Sequence, residues 1–228
     1  MKKYDIFLFD ADNTLYDFDK ASAHALKVLF EEYAFNYSND IPKRFIDIGT
    51  PLWESYEKGE ILDTELQKFR FVRLFDELCI QHDPVAFNER YLHELGRNAF
   101  LIDGALDICH KIITCGKQIY IITNGFLISQ TARMEHSPIQ KYISDIFISE
   151  VVGHKKPSKE YFEYVLNGIP HVNKDSILIV GDSLSADIAG GIVSGIDSCW
   201  FNFNGVENRT NITPTYEISK LSELGKLI

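Results

Sequence analysis

The sequence predicts a doubly wound, mainly parallel α/β sheet of Rossmann-like type that carries an inserted helical-bundle cap. Three observations carry that expectation. Short apolar runs suited to strands buried on both faces recur at residues 6–9, 119–122, 177–180 and 199–201. Helical patterns separate the later runs, and one long helical stretch follows the first.

Residues 6–9, Ile-Phe-Leu-Phe, are apolar without alternation, and Asp10 ends the run. From residue 16 to residue 97 the apolar period becomes that of helices. Ala25, Leu26, Leu29, Phe30 and Tyr33 form one stripe, and Leu66, Phe69 and Val72 begin another. Asp40 before Ile41-Pro42, Asp63 before Thr64-Glu65, and Asp83 before Pro84 are expected N-caps. Four helices over the carboxyl edge of the sheet are therefore expected in this insertion. Residues 105–114 then form a helix leading to the strand at 119–122, which ends in Thr123-Asn124-Gly125. A helix at 160–166 precedes the strand at 177–180, which ends in Gly181-Asp182-Ser183, and a further helix covers 186–193. The run at 199–201 is the last expected strand, with Trp200 in the core. The chain thus divides into a core of residues 1–15 and 98–228 and a cap of residues 16–97. Open sheets of this kind bind ligands beyond the carboxyl ends of their strands, where Asp10, Thr123 and Asp182 fall.

At 228 residues, with 45% hydrophobic and 25% charged residues, the chain can bury a sizeable core, which excludes a disordered or collagen-like protein. Lys plus Arg number 23 against 33 for Asp plus Glu, a formal net charge of −10. No broad basic surface for a nucleic-acid polymer is expected. The N-terminus offers too few apolar residues before Asp10 for a signal-peptide core, and no run approaches the ~20 residues of a membrane span. A cytoplasmic protein without a membrane partner, monomeric or weakly homodimeric, is expected. Its cysteines, Cys79, Cys109, Cys115 and Cys199, lack a C-x-x-C pairing and are expected to be reduced, buried thiols.

Asp10 and Asp12 stand two residues apart where a buried strand ends, so alternation points both side chains the same way. Like charges at ~4 Å repel by about 1 kcal/mol in water and about 4 kcal/mol at an effective dielectric of 20. Such a pair invites a cation or a proton. Asp182 and Asp187 add two more acids after another strand. Oxygen-only ligands suit Mg²⁺, whereas zinc would want His or Cys. Lys156, Thr123 and the backbone amides of the Asn124-Gly125 turn complete a set able to handle a phosphoryl group, and an aspartate can be the nucleophile.

These residues make the sequence similar to the haloacid dehalogenase superfamily of phosphohydrolases. Its four motifs stand in order: D-x-D-x-T at Asp10 to Thr14, a strand-end Thr at Thr123, the Lys of a Lys-Pro pair at Lys156, and G-D-x-x-x-x-D from Gly181 to Asp187. Lys155 offers a neighbouring choice that Pro157 settles in favour of Lys156. The resemblance implies that Asp10 forms an aspartyl-phosphate and that Asp12 protonates the leaving alcohol and then deprotonates water. It implies that Thr123, Asn124, Gly125 and Lys156 hold the phosphoryl oxygens. Mg²⁺ would be bound by Asp10, the Asp12 carbonyl and Asp182, with Asp187 and Ser183 supporting those ligands. Halide-displacing members lack an acid two residues after the nucleophile, so Asp12 favours a phosphatase; phosphomutases share the pair.

Within that superfamily, Pro51-Leu52-Trp53, Tyr56, Gly59, residues 122–126 and Cys199-Trp200 look like the bacterial pyrimidine-nucleotide 5′-nucleotidases. A small phosphorylated substrate, a nucleoside monophosphate, is the expected partner; the alternatives are sugar phosphates or other small phosphorylated metabolites, or a non-catalytic domain that binds such a ligand. Trp53 and Tyr56 could read the base, although their spacing of three equally suits packing within the cap. Residues 131–138 depart from the arginine- and leucine-rich helix of that pattern, so no substrate contact is expected from them.

Overall fold

The computed structural model describes residues 2–171 and 173–228, and β1 (Ile6–Phe9) lies near the middle of its sheet. The other strands are β2 (Gln118–Thr123), β3 (Asp145–Ile148), β4 (Ile177–Gly181), β5 (Asp197–Phe201) and β6 (Tyr216–Ile218). Their order is β3-β2-β1-β4-β5-β6, and every pairing is parallel. The apolar runs are continuous because both faces are covered. Phe7, Phe9, Ile119, Ile121, Leu178 and Val180 pack into one cluster, whereas Ile6, Leu8, Tyr120, Ile122, Ile177 and Ile179 pack into another. The period of two sorts each strand's side chains between these layers.

The helices between β1 and β2 are α1 (Phe18–Glu32), α2 (Ile41–Glu57), α3 (Asp63–Leu78), α4 (Pro84–Arg97) and α5 (Ala105–Thr114). Four of them, α1 to α4, have a core of their own built from Leu26, Phe30, Phe45, Phe71, Phe87 and Tyr91, with Phe126 joining from the sheet side. After β2 come α6 (Leu127–His136), α7 (Ser149–Val152), α8 (Lys159–Gly168) and α9 (Ala189–Ser194). Pairing with β2 on one side and β4 on the other makes β1 the point where the strand order reverses. Ligands of such sheets bind at that crevice.

Several local expectations change. Strands β3 and β6 were not expected: both are short edge strands, β3 offering only Ile146-Phe147-Ile148 with its last two residues buried, and β6 only Tyr-Glu-Ile. Asp83 caps α4 by accepting from the Val85 N–H at 2.9 Å, as expected. Asp40 does not cap α2; its carboxylate pairs with Arg44 Nε at 2.6 Å. Asp63 lies inside α3, and the Leu62 N–H is satisfied by Glu65 reaching back at 2.9 Å. The helix expected over 186–193 opens with a wide π turn, Leu184–Ile188, before α9. Cys109 and Cys199 are buried, but Cys79 and Cys115 are exposed, because they sit where α3 and α5 end and the chain turns outward.

Candidate active site

Parallel pairing sets the ends of β1 and β4 side by side, with Asp10 N–H donating to Val180 O at 2.8 Å. Asp10 and Asp182 therefore leave adjacent strands at the same height. Lys156 Nζ reaches between them from the loop before α8 and is 2% exposed. It donates to Asp10 Oδ1 at 2.6 Å, Asp187 Oδ1 at 2.8 Å and Ile122 O at 3.0 Å. Asp187 is brought back to the strand end by the π turn, and its Oδ2 accepts from the Ser183 N–H at 3.1 Å. This return needs Gly181: a Cβ there would stand 2.1 Å from Asp187 Oδ2. Ser183 Oγ accepts from the Ala186 N–H at 3.1 Å and holds the turn.

Burial pushes the Asp10 carboxyl up to about 7; Lys156 opposes the rise and Asp187 adds to it. Burial and the neighbouring Asp10 and Asp187 carboxylates likewise hold Asp182 well above the usual carboxylate range. Burial lowers the Lys156 ammonium, but the two carboxylates outweigh it and leave its pKa above the ordinary value. One oxygen from each of Asp10, Asp182 and Asp187 lies within 4.8 Å of the others. Three carboxylates and one ammonium leave the cluster with excess negative charge, and a hard divalent cation is what oxygen donors so placed would accommodate. Both oxygens of Asp187 are already engaged, so Asp10 and Asp182 have the more available donors.

Thr123 ends β2 and is buried. Its Oγ1 accepts from the Gly125 N–H at 2.9 Å, and its N–H donates to the Tyr161 hydroxyl at 3.1 Å, which itself donates to Phe147 O at 2.7 Å. The Asn124 side chain clamps the Lys156 backbone: Oδ1 accepts the Lys156 N–H at 2.9 Å and Nδ2 donates to Lys156 O at 3.0 Å. Two expectations are thereby adjusted. The Asn124 side chain positions Lys156, and the Gly125 N–H is given to Thr123 in this state.

Asp12 does not join the Asp10 cluster. Its Oδ2 accepts from Gln130 Nε2 at 2.7 Å and its Oδ1 from Arg133 Nη1, both from α6. Arg133 is wholly buried and lies over the Tyr16 ring. Gln130 can reach Asp12 because Gly125 has no side chain; a Cβ there would stand 2.2 Å from Gln130 Nε2. The segment 131–138, from which no substrate contact was expected, supplies Arg133 as a partner of Asp12. The signal lay in the spacing: Gln130 and Arg133, three apart, share a helix face. Tyr161 had no such signal.

A cavity of about 400 Å³ lies between the strand ends and α2 and α3. Asp10, Asp12, Thr123, Lys156 and Asp182 line it from the sheet, and Gly49, Trp53, Glu57 and Arg70 from the helices. Trp53 thus meets the cavity, its ring centroid 5.6 Å from that of Phe126. Tyr56 is buried outside that lining, with Lys155 Nζ 3.7 Å from its ring centroid. Glu57 Oε2 accepts from the Ser185 hydroxyl at 2.7 Å, joining α2 to the loop after β4. An adjoining outer cavity of about 690 Å³ contains Trp200, whose Nε1 donates to Asp182 O at 2.8 Å, but none of Asp10, Thr123 or Lys156. The chemistry belongs to the smaller cavity.

Residues 7–201 match the family model for haloacid dehalogenase-like hydrolases. The HAD-hydrolase YfnB of Bacillus subtilis is 40% identical, covering 98% of this chain and 95% of that protein. A crystal structure of YfnB bound to magnesium, which reveals interdomain movement in that protein, superposes with a TM-score of 0.93 over 99% of this chain and 98% of the other, at 39% identity. The pyrimidine 5′-nucleotidase YjjG of Escherichia coli is 34% identical, covering 99% of this chain and 98% of its own. The pyrimidine 5′-nucleotidase PynA of Streptococcus pneumoniae is also 34% identical, covering 97% and 93%.

Proposed function

Because the chain belongs to the haloacid dehalogenase-like hydrolases, we propose that it is a Mg²⁺-dependent phosphomonoester hydrolase acting on pyrimidine nucleoside monophosphates through an aspartyl-phosphate on Asp10. The observation that carries the chemistry is the bonding of one buried ammonium, Lys156, to both Asp10 and Asp187 at the end of β1. A carboxylate so held is oriented for attack and partly relieved of its neighbours' repulsion.

In the proposed first step an Asp10 oxygen bonds to phosphorus as the bond to the ester oxygen breaks, and the Asp12 carboxyl gives its proton to the departing alcohol. In the second, Asp12 takes a proton from water as that water attacks phosphorus, the Asp10–phosphate bond breaks, and phosphate leaves. Gln130 and Arg133 donate to both Asp12 oxygens, which suits the carboxylate form that accepts a proton from water. To deliver its proton in the first step, Asp12 must turn from Arg133. Thr123 and Lys156 would hold the phosphoryl oxygens, Thr123 by releasing the Gly125 amide to the same task. Asp10, Asp182 and the Asp12 carbonyl would hold Mg²⁺, with Asp187 and Ser183 steadying them. Bound there, the ion supplies positive charge against the phosphoryl oxygens.

Asp12 also argues against halide displacement, in which no alcohol needs protonation. The nucleotide preference draws support from the two relatives that are pyrimidine 5′-nucleotidases and from Phe45 and Trp53, an aromatic wall of the cavity. We take residues 16–97 as a cap domain that carries this wall. A phosphate-release screen with Mg²⁺ over nucleoside monophosphates and sugar phosphates tests the reading. UMP, dUMP and dTMP should exceed every sugar phosphate; the reverse order would overturn the nucleotidase assignment, and no release from any phosphomonoester would overturn the hydrolase.

A further inference from the structure

Arg70 is a buried cation with no anion paired to it among the described residues. It projects from α3 to the cavity wall at 2% exposure. Its guanidinium lies 5.3 Å from the Phe45 ring centroid, 6.0 Å from Trp53, 5.8 Å from Tyr91 and 5.4 Å from Phe126. Nη2 donates to Asn88 Oδ1 at 3.0 Å, and Nε has no partner among the described residues. Burial lowers its pKa, and only the Tyr91 phenol works against that; no carboxylate does. Ring faces attract a guanidinium, but by less than the burial of an ion costs. A hydrogen-bond acceptor entering the cavity would recover the difference.

The remaining walls select that acceptor. Asp19, Glu54 and Glu57 line the same cavity, so a second phosphate or a carboxylate would have to approach against them. A neutral planar ring carrying a carbonyl oxygen meets no such opposition, and the Phe45 and Trp53 rings, which line the cavity beside the guanidinium, are there to stack on it.

We propose that Arg70 is the base-reading residue of this site, donating to a ring carbonyl oxygen of the kind all pyrimidine bases carry while Lys156 and Thr123 hold the phosphate of the same molecule. The inference rests on the nucleotidase reading and adds the group that supplies the preference. Adenine has no carbonyl oxygen, so AMP is the discriminating substrate.

The test compares kcat and KM for UMP, AMP and ribose 5-phosphate, with Mg²⁺ present, in the wild type, Arg70→Gln and Arg70→Lys. Arg70→Gln is expected to lower the ratio of kcat/KM for UMP over ribose 5-phosphate by about 10- to 100-fold, the worth of one charged hydrogen bond, with the loss in KM rather than kcat. Arg70→Lys should recover part of it. Should the glutamine variant fail to fold, Arg70→Lys keeps the charge but not the planar fork and should still show a reduced ratio with a raised KM for UMP. A parallel fall for all three substrates would mark Arg70 as structural and overturn the proposal. A wild-type preference for UMP that survives in both variants would overturn the Arg70 assignment and leave the nucleotidase reading standing. A wild type that takes ribose 5-phosphate as readily as UMP would overturn the nucleotidase reading and the Arg70 proposal with it.

Discussion

Two aspartates separated by one residue have been given different surroundings, and that difference fits the tasks proposed for them. Asp10 is enclosed with Lys156 and Asp187, whereas Asp12 is turned toward Gln130 and Arg133. Asn13 makes the divergence possible, since it adopts a left-handed φ of 59° and its Oδ1 accepts from the Phe18 N–H at 3.2 Å. Alternation alone had pointed both carboxylates the same way, because a strand-based rule cannot foresee where the strand gives way to a turn. Asp12→Asn should slow alkyl phosphates by about 10²- to 10⁴-fold, the usual contribution of a general acid, but p-nitrophenyl phosphate much less, since its leaving group hardly needs a proton. Parallel rate measurements on the two substrate types check this, and equal slowing would contradict the acid's role. The identities of Asp10, Thr123 and Asp182 were legible because each ends or follows an apolar run, and that of Lys156 because Pro157 follows it. Arg70 and Tyr161 were not, because they lie within helices whose placement over the site is a tertiary fact; for Gln130 and Arg133 the spacing gave a shared helix face but not that Asp12 meets it.

The π turn at Leu184–Ile188 is the element on which the site's geometry depends most closely. It widens the start of the helix so that Asp187 folds back onto β4, with the Ile188 N–H donating to Ser183 O at 3.2 Å. Gly181→Ala places a methyl group against that carboxylate and should displace it from Lys156. Activity should fall about 10²-fold, as a misplacement near 1 Å commonly costs, and thermal unfolding should show a modest loss of stability. Wild-type turnover in this variant would mean that the Asp187–Lys156 bond is dispensable. The sequence made the long elements readable and the short ones not. Helices α1 to α4 announce themselves by apolar stripes, whereas β3 and β6, of four and three residues, are too short to stand out from loop. Caps were the least legible feature: Asp40 found a stronger partner in Arg44, and Glu65 displaced Asp63 from its expected place.

At the scale of the whole molecule, a chain of net charge −10 concentrates part of its negative charge at one crevice, where Lys156 alone among the residues of the Asp10 cluster opposes it. The acidity that argued against a nucleic-acid polymer is, at this crevice, a demand for a cation. Mg²⁺ should raise the unfolding temperature of the wild type, since an ion bound only by the folded state at 100 times its Kd adds about 2.7 kcal/mol. Asp182→Asn should shrink that increase, and an increase of equal size in the variant would place the ion elsewhere. Chelation should abolish turnover and added Mg²⁺ restore it. The insertion after β1 was legible from its change of period, but its contacts with the sheet were not: Glu57 with Ser185, and Trp53 and Arg70 with Phe126, join residues that no sequence spacing relates. The central claim is the covalent intermediate on Asp10. Rapid acid quench during turnover, borohydride reduction and peptide mass spectrometry test it most directly, because reduction converts an aspartyl-phosphate to homoserine. A substrate-dependent mass change at Asp10 is the predicted result; turnover with Asp10 unmodified, or with the change at another carboxylate, would contradict the account.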